Sequence, residues 1–518
     1  MKTMRRLLMT AAAVIVTSTV AAYATPPDDT LIVGISADAS TFDPAQISSR
    51  DNSNIAEHIF VRLYDPDEVG QFTPAAALSY TVSDDGMTYT YKLKPGMTCQ
   101  DGEVLNADDA AYSFNRAADP ANKFTGNTPG YVFDAVGFKS AKAVDDLDVA
   151  ITIAHPNPIA FALMNEVYLH CKDSYEKLSL DQAAQTPVAS GPYKLVKWDR
   201  GSQIVLEKWQ EPGTFKNLIW RIIPEASTRS AELIAGNVDI ITNVAPDQME
   251  AINNSGAATV KAVQGTRRIY VGFNFGKEFQ STPGGAAIQK TEVRQALQYA
   301  IDVPTICKQL LNFECVRATG LVNPPQDNQS LTPYAYDPAK AEKMLDDAGY
   351  PRGADGVRFK IVMQGPNGRY LNDVNVEQAI GQYLTDIGVE TDVQPMEWAS
   401  VYVPLIQKHA AGPMFFLGSG GVLGNAIEDM SDLSTVDAGT NYTGWANPDW
   451  FSGWDKINAG KTDEERRPVI DAMLKTFYND PPWLMLYFQP GFYGVSKRVD
   501  FSPRRDELMF LFGTKLVK

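Results

Sequence analysis

A strand, helix, strand run between Arg358 and Val393 restricts this chain more than any other feature. Arg358 to Met363 reads as a strand entering a Gly365-Pro366-Asn367-Gly368 loop. Val376, Ile380, Tyr383, Leu384 and Ile387 mark one face of a helix that stops at Gly388, and Val389 to Val393 is the next strand. Strands joined through such a helix lie parallel, and parallel strands need cover on both faces. The chain is therefore expected to be α/β rather than a β-sandwich or a helical bundle.

The rest of the chain agrees. Leu31 to Ile35 is a buried first strand followed by the Thr41-Phe42-Asp43-Pro44 turn. Thr88 to Leu93, Val149 to Ile153, Gln203 to Trp209 and Leu218 to Ile223 also read as strands. Asn106 is placed to cap a helix, with Asp109 at its third position, and Ser227 opens another that Gly236 closes. A third spans Thr291 to Ile301, and a fourth starts with Asp337 as cap and Pro338 at its first position. Thr462 and Glu465 suggest a capping box, with Pro468 expected to kink or shorten that helix. In open α/β sheets ligands bind beyond the carboxyl ends of strands, so the loops at Thr41, after Met363 and after Leu417 are the places to look.

The first residues, Met-Lys-Thr-Met-Arg-Arg, precede an apolar run from Leu7 to Ala22 that carries no carboxylate. Ala22-Tyr23-Ala24 fits a signal-peptidase site, so residues 1–24 are expected to be a cleaved signal peptide. Sixteen residues with three threonines and a serine make a poor membrane span. Removing Lys2, Arg5 and Arg6 leaves 43 basic against 62 acidic side chains, a charge that repels nucleic acid and anionic lipid. The remaining 494 residues exceed what one core usually supports, so two or three lobes are expected. Cys99, Cys171, Cys307 and Cys315 permit two disulfides, and Cys307 with Cys315 is the closer pair; four buried thiols are the alternative.

A search for catalytic chemistry returns little. The four histidines, His58, His155, His170 and His409, stand apart, and no zinc motif, nucleophile elbow or phosphate loop occurs. Paired aspartates such as Asp84-Asp85 and Asp108-Asp109 read as turn and capping residues. Neither an enzyme nor a bound metal or cofactor is expected. What stands out is aromatic and glycine-rich: Trp398 after one strand, and Met414-Phe415-Phe416-Leu417 running into Gly418-Ser419-Gly420-Gly421. Glycines let a ligand approach the backbone and aromatics supply flat apolar walls. Trp445, Trp450 and Trp454 are read first as core.

An ordered set of short segments then resembles a known family, the extracytoplasmic solute-binding proteins that include oligopeptide, dipeptide, glutathione and nickel binders (family 5). The segments include Thr41-Phe42-Asp43-Pro44, Phe72-Thr73-Pro74-Ala75, Asp101-Gly102-Glu103, Gly191-Pro192-Tyr193, Ala235-Gly236-Asn237-Val238-Asp239, Val293-Arg294-Gln295-Ala296-Leu297 and Tyr336-Asp337-Pro338. The resemblance implies a two-lobed periplasmic-binding-protein-like fold (type II) with an extra inserted subdomain. Residues 25–67, 188–280 and 495–518 would form a discontinuous domain I, 68–187 domain II, and 281–494 domain III. It further implies a monomeric periplasmic receptor that encloses a small solute, of peptide or oligosaccharide class, and delivers it to the permease subunits of an ABC importer.

One departure bears on the ligand. Peptide binders of this family carry a loop resembling Gly-Trp-x-Gly-Asp, whose aspartate pairs with the peptide amine; here Ser419 replaces the tryptophan, Val422 stands at the aspartate and Asn425 where another carboxylate often lies. A buried ammonium without a counter-charge is costly. Peptide import is the default that the resemblance implies, because most of the family is so described, and an oligosaccharide, opine or other solute is the alternative that Val422, Asn425 and the nearby aromatics favour. The expected ligand contacts are Thr41, Trp398, Ser419, Gly420 and Gly421, with Asn274 and Arg369 as weaker candidates; Arg369 suits a ligand carboxylate.

Overall fold

The computed structural model describes residues 26–67, 70–420, 424–436, 438–460 and 462–517. The leader segment, Gly421 and Val422 lie outside the described residues. The run that opened the sequence reading folds as a parallel pair, Phe359–Asn367 beside Val389–Glu397, joined by the helix Asp373–Asp386. The first strand extends through the Gly-Pro-Asn stretch expected to be loop, because Gly365 to Asn367 keep their register against Pro395 to Glu397.

These strands form one end of a ten-stranded sheet. Its order is Val389–Glu397, Phe359–Asn367, Met414–Gly420, Ala258–Phe273, Trp483–Ser496, Ile240–Ile241, Thr30–Ile35, Asn217–Ile222, Gln203–Lys208 and Tyr193–Asp199. The two long central strands, Ala258–Phe273 and Trp483–Ser496, run antiparallel and serve different cores along their length. Ile269, Val271, Phe273, Leu484 and Leu486 pack with the helices Thr291–Tyr299, Pro338–Asp347 and Asp373–Asp386. Tyr493 and Val495 pack instead with Leu31, Val33 and Trp220, while Ala258 and Phe492 pack with Leu233 and Val238.

The changeover falls at a register jump between Gln264 and Arg268, opposite Pro490 and Phe488. Gly265 sits there against its partner strand: a Cβ would lie 2.2 Å from the Gln489 carbonyl oxygen. Ile269, Val271 and Phe273 thus pack with the 281–494 helices, and Tyr493 packs with the first strand, as Val495 does.

A separate antiparallel sheet, Ala77–Val82, Thr88–Leu93, Asp148–Ile153 and Phe138–Ala143 in that order, is covered by the helix Ala107–Ala118. Asn106 caps that helix, accepting from Asp108 and Asp109 while Asp109 accepts from the Asn106 amide. Buried Arg116 at its far end donates to Asp43 at 2.8 Å, tying this sheet to the turn after the first strand. Both disulfides form, Cys307 with Cys315 as expected and Cys99 with Cys171. The helix Asp463–Asn479 runs unshortened through Pro468. A proline there removes one backbone bond, and buried Ile470, Met473, Leu474 and Phe477 beyond it supply the packing that holds the helix. Trp445 and Trp450 are core, and Trp454 packs at the core's edge.

Candidate functional site

Between the two cores lies a cavity of about 1670 Å³. It opens where the parallel strands end: Ser36 follows Ile35, Pro224 follows the Asn217–Ile222 strand, Thr242 follows Ile241, Gly368 follows Asn367 and Trp398 follows Glu397. This is where open α/β sheets place ligands, because consecutive chain turns diverge there and leave a crevice.

Three expected contacts line this cavity: Arg369, Trp398 and Gly420. The Arg369 guanidinium stands over the Tyr370 and Trp398 rings at 5.2 and 5.4 Å. Its loop is pinned from beneath by buried Asp373, which accepts from the Gly368, Arg369 and Tyr370 amides at 3.1, 2.7 and 3.0 Å. Glu377, one turn further on, is fully buried under Gly365, and burial pushes its carboxyl up to about 9, so it sits there as a neutral acid.

The other expected contacts fall elsewhere. Thr41 is buried, its backbone held by the Asn52 side chain and its hydroxyl accepting from the Asp43 amide, so it shapes the turn that presents Asp43 to Arg116. Asn274 is 2% exposed and donates to the His409 and Ala411 carbonyls, a tie at the far end of its strand. Ser419 donates to Asp432 and accepts from Arg268 at 2.8 Å. Gly421 lies outside the described residues.

The sequence reading did not single out most of the charged lining. At the hinge, Arg267 pairs with Glu507 at 2.8 Å. Burial alone would raise the Glu507 carboxyl, but Arg267 holds it below the usual range. Asp51 sits nearby at the start of the helix Arg50–Ala56; burial and then the Glu507 charge raise its carboxyl against the pull of Arg369, Arg229 and Arg267. Across the cavity, burial first and then the charges of Glu428 and Asp432 hold the Tyr131 hydroxyl well above its ordinary range. The lining thus mixes both signs: Arg267, Arg229 and Arg369 stand around Asp51 and Glu507, while Asp432 pairs with Arg268 and Glu166 with Arg62. Knowing the strand Leu218 to Ile223, the carboxyl-end rule already pointed at Pro224 and the helix behind it, and that signal was available.

The fold and the cleft at its hinge define a two-lobed solute receptor. Residues 71–442 match the profile of bacterial extracellular solute-binding proteins, family 5 (middle), and the chain belongs to that family. Its relatives include the glutathione-binding protein GsiB of Escherichia coli K12, 27% identical over 418 residues, 78% of this chain and 77% of that one. Among solved structures, the ABC transporter substrate-binding protein CtaP of Listeria monocytogenes superposes with a TM-score of 0.81 at 23% identity, covering 94% of this chain and 99% of the other. DppA of Helicobacter pylori in complex with the peptide STSA gives 0.78 at 21%, covering 94% and 98%. NikZ of Campylobacter jejuni in complex with Ni(L-His) gives 0.77 at 22%, covering 94% and 99%. Members of the family are extracytoplasmic binding proteins that bind small solutes and pair with ABC permeases.

Proposed function

We propose that this chain is exported to the periplasm, loses its first 24 residues, and as the mature protein captures a small peptide-class solute for import. Lobe one would be built from residues 25–67, 188–280 and 495–518, lobe three from residues 281–494, and 68–187 would be inserted into the first. Closure about the Gln264–Arg268 and Phe488–Pro490 crossing would trap the solute and present the closed form to a permease. The reading is carried by a cleft that presents both cations and carboxylates to a solute. A peptide carries an ammonium and a carboxylate; Arg369 and Lys308 line the cavity without an ion pair among the described residues, and Glu428, Asp432 and Glu166 line it too, Asp432 beside Arg268 and Glu166 beside Arg62. The volume of about 1670 Å³ leaves room for a chain of several residues, above the usual range for a single small metabolite.

Asp432 and Glu428 would take over the amine contact that Val422 cannot make. The test is a thermal-shift panel of dipeptides, tripeptides, glutathione and oligosaccharides. A true ligand at about 100 times its dissociation constant adds about 2.7 kcal/mol of stability. Shifts with peptides alone support the reading, shifts with sugars alone overturn it, and turnover of a bound compound would contradict the non-enzymatic role.

A further inference from the structure

We propose that the lobe-one wall of the cleft carries an anion anchor, built by Arg229, Thr242 and the start of the helix Ala226–Ile234, that takes the carboxylate of the solute. It rests on the peptide reading above and adds which wall holds which end of the ligand.

Arg229 is 3% exposed and lines the cavity. Its Nη1 donates to the Ile223 and Pro224 carbonyls at 2.7 and 2.6 Å, and its Nη2 to the Asn243 carbonyl at 3.1 Å. Those three acceptors are neutral. Nε has no hydrogen-bond partner, and Arg229 makes no ion pair among the described residues. A guanidinium has five N–H donors, so Nε–H and one Nη2 hydrogen are left without a bond. Burial pulls its pKa down against the charges of Asp51 and of Glu225, the helix N-cap, and the Asp51 charge is shared with Arg369 and Arg267.

Thr242 supplies the second observation. It is 6% exposed, lines the same cavity, and its hydroxyl has no hydrogen-bond partner among the described residues. It immediately precedes Asn243, whose carbonyl accepts from Arg229, so hydroxyl and guanidinium are neighbours on one wall. Beside them begins a nine-residue helix whose N-cap, Glu225, makes no side-chain capping bond, and Ala226 at its first position also lines the cavity. Buried polar groups are nearly always satisfied, and leaving one unmet costs free energy. Unused N–H groups, a hydroxyl and the positive end of a helix dipole together call for an acceptor with negative charge. An ammonium would be repelled here, which sends the amine of a zwitterionic solute to the Tyr131 end.

The experiment is calorimetry with Ala-Ala-Ala and its C-terminal amide on the wild type and on Thr242→Val, which keeps side-chain shape and removes the hydroxyl. Wild type is expected to bind the acid about tenfold more tightly than the amide, and Thr242→Val to narrow that gap by weakening the acid alone. Equal binding of acid and amide by the wild type, or a variant that weakens both alike, overturns the anchor and leaves the peptide reading standing. If neither form binds, that reading fails for this probe, and sodium acetate decides the anchor. Saturable thermal stabilisation of wild type but not of Thr242→Val supports it, and equal responses overturn it. Arg229→Lys is expected to reproduce the Thr242→Val pattern with a lower melting temperature, since it also gives up carbonyl bonds.

Discussion

Replacing Asp429 by alanine is expected to destabilise the protein by about 3 kcal/mol, a large effect for a side chain that is not among those lining the cavity. Asp429 and Arg268 are 1% and 2% exposed at their side chains, and Arg268 Nη1 donates to Asp429 Oδ1. The other carboxylate oxygen accepts from the Asn323 amide and Nδ2 at 2.8 and 3.1 Å. Alanine would strand a buried guanidinium and two Asn323 donors in one step. Asp432, 3.1 Å from Arg268 Nη2, keeps part of the charge balanced, which places the expected cost at the lower end for broken buried pairs. Because Arg268 sits at the register jump of the crossing strand, the loss should appear in urea unfolding as an earlier midpoint of the third-lobe transition. An Asp429→Asn variant should fall between. A change under about 1 kcal/mol for alanine would mean that water or Asp432 compensates fully.

Removing the Cys99–Cys171 bridge by a double alanine substitution is the second large effect. The cysteines are 72 residues apart, both fully buried, and close the inserted segment onto its own sheet and helix. Chain-entropy arguments give about 4 kcal/mol for a loop of that length, against about 2.5 kcal/mol for the 8-residue separation of Cys307 and Cys315. The ordering is the sharper test: the first pair should lower the melting temperature more than the second. Equal or reversed losses would mean that native strain or residual structure in the unfolded chain dominates.

How far the sequence was legible follows the range of the interactions. Asn106, Asp337 and Gly388 act on neighbours within a turn, and the helices they bound stand where the pattern put them. The parallel pair was legible for the same reason, since its period and its crossover helix are contained in one stretch. Cysteine connectivity was only half legible, because four cysteines allow three pairings and the longer bridge depends on a fold. Thr41 and Asn274 show what a polar residue beside a turn can do in the fold: each satisfies local backbone groups, and neither is among the residues lining the cavity. Arg229 was invisible for the converse reason. On a helix a lone arginine reads as solvent-facing, and only the packing of Asn217–Ile222 against Thr30–Ile35 turns it into the cleft wall.

The central claim is that this protein closes on a solute held between its lobes. Small-angle X-ray scattering of the mature protein, without and with a saturating peptide found in the thermal-shift panel, tests it most directly. The account predicts a smaller radius of gyration with ligand and a return to the starting value after dialysis. An unchanged radius at full occupancy would contradict it.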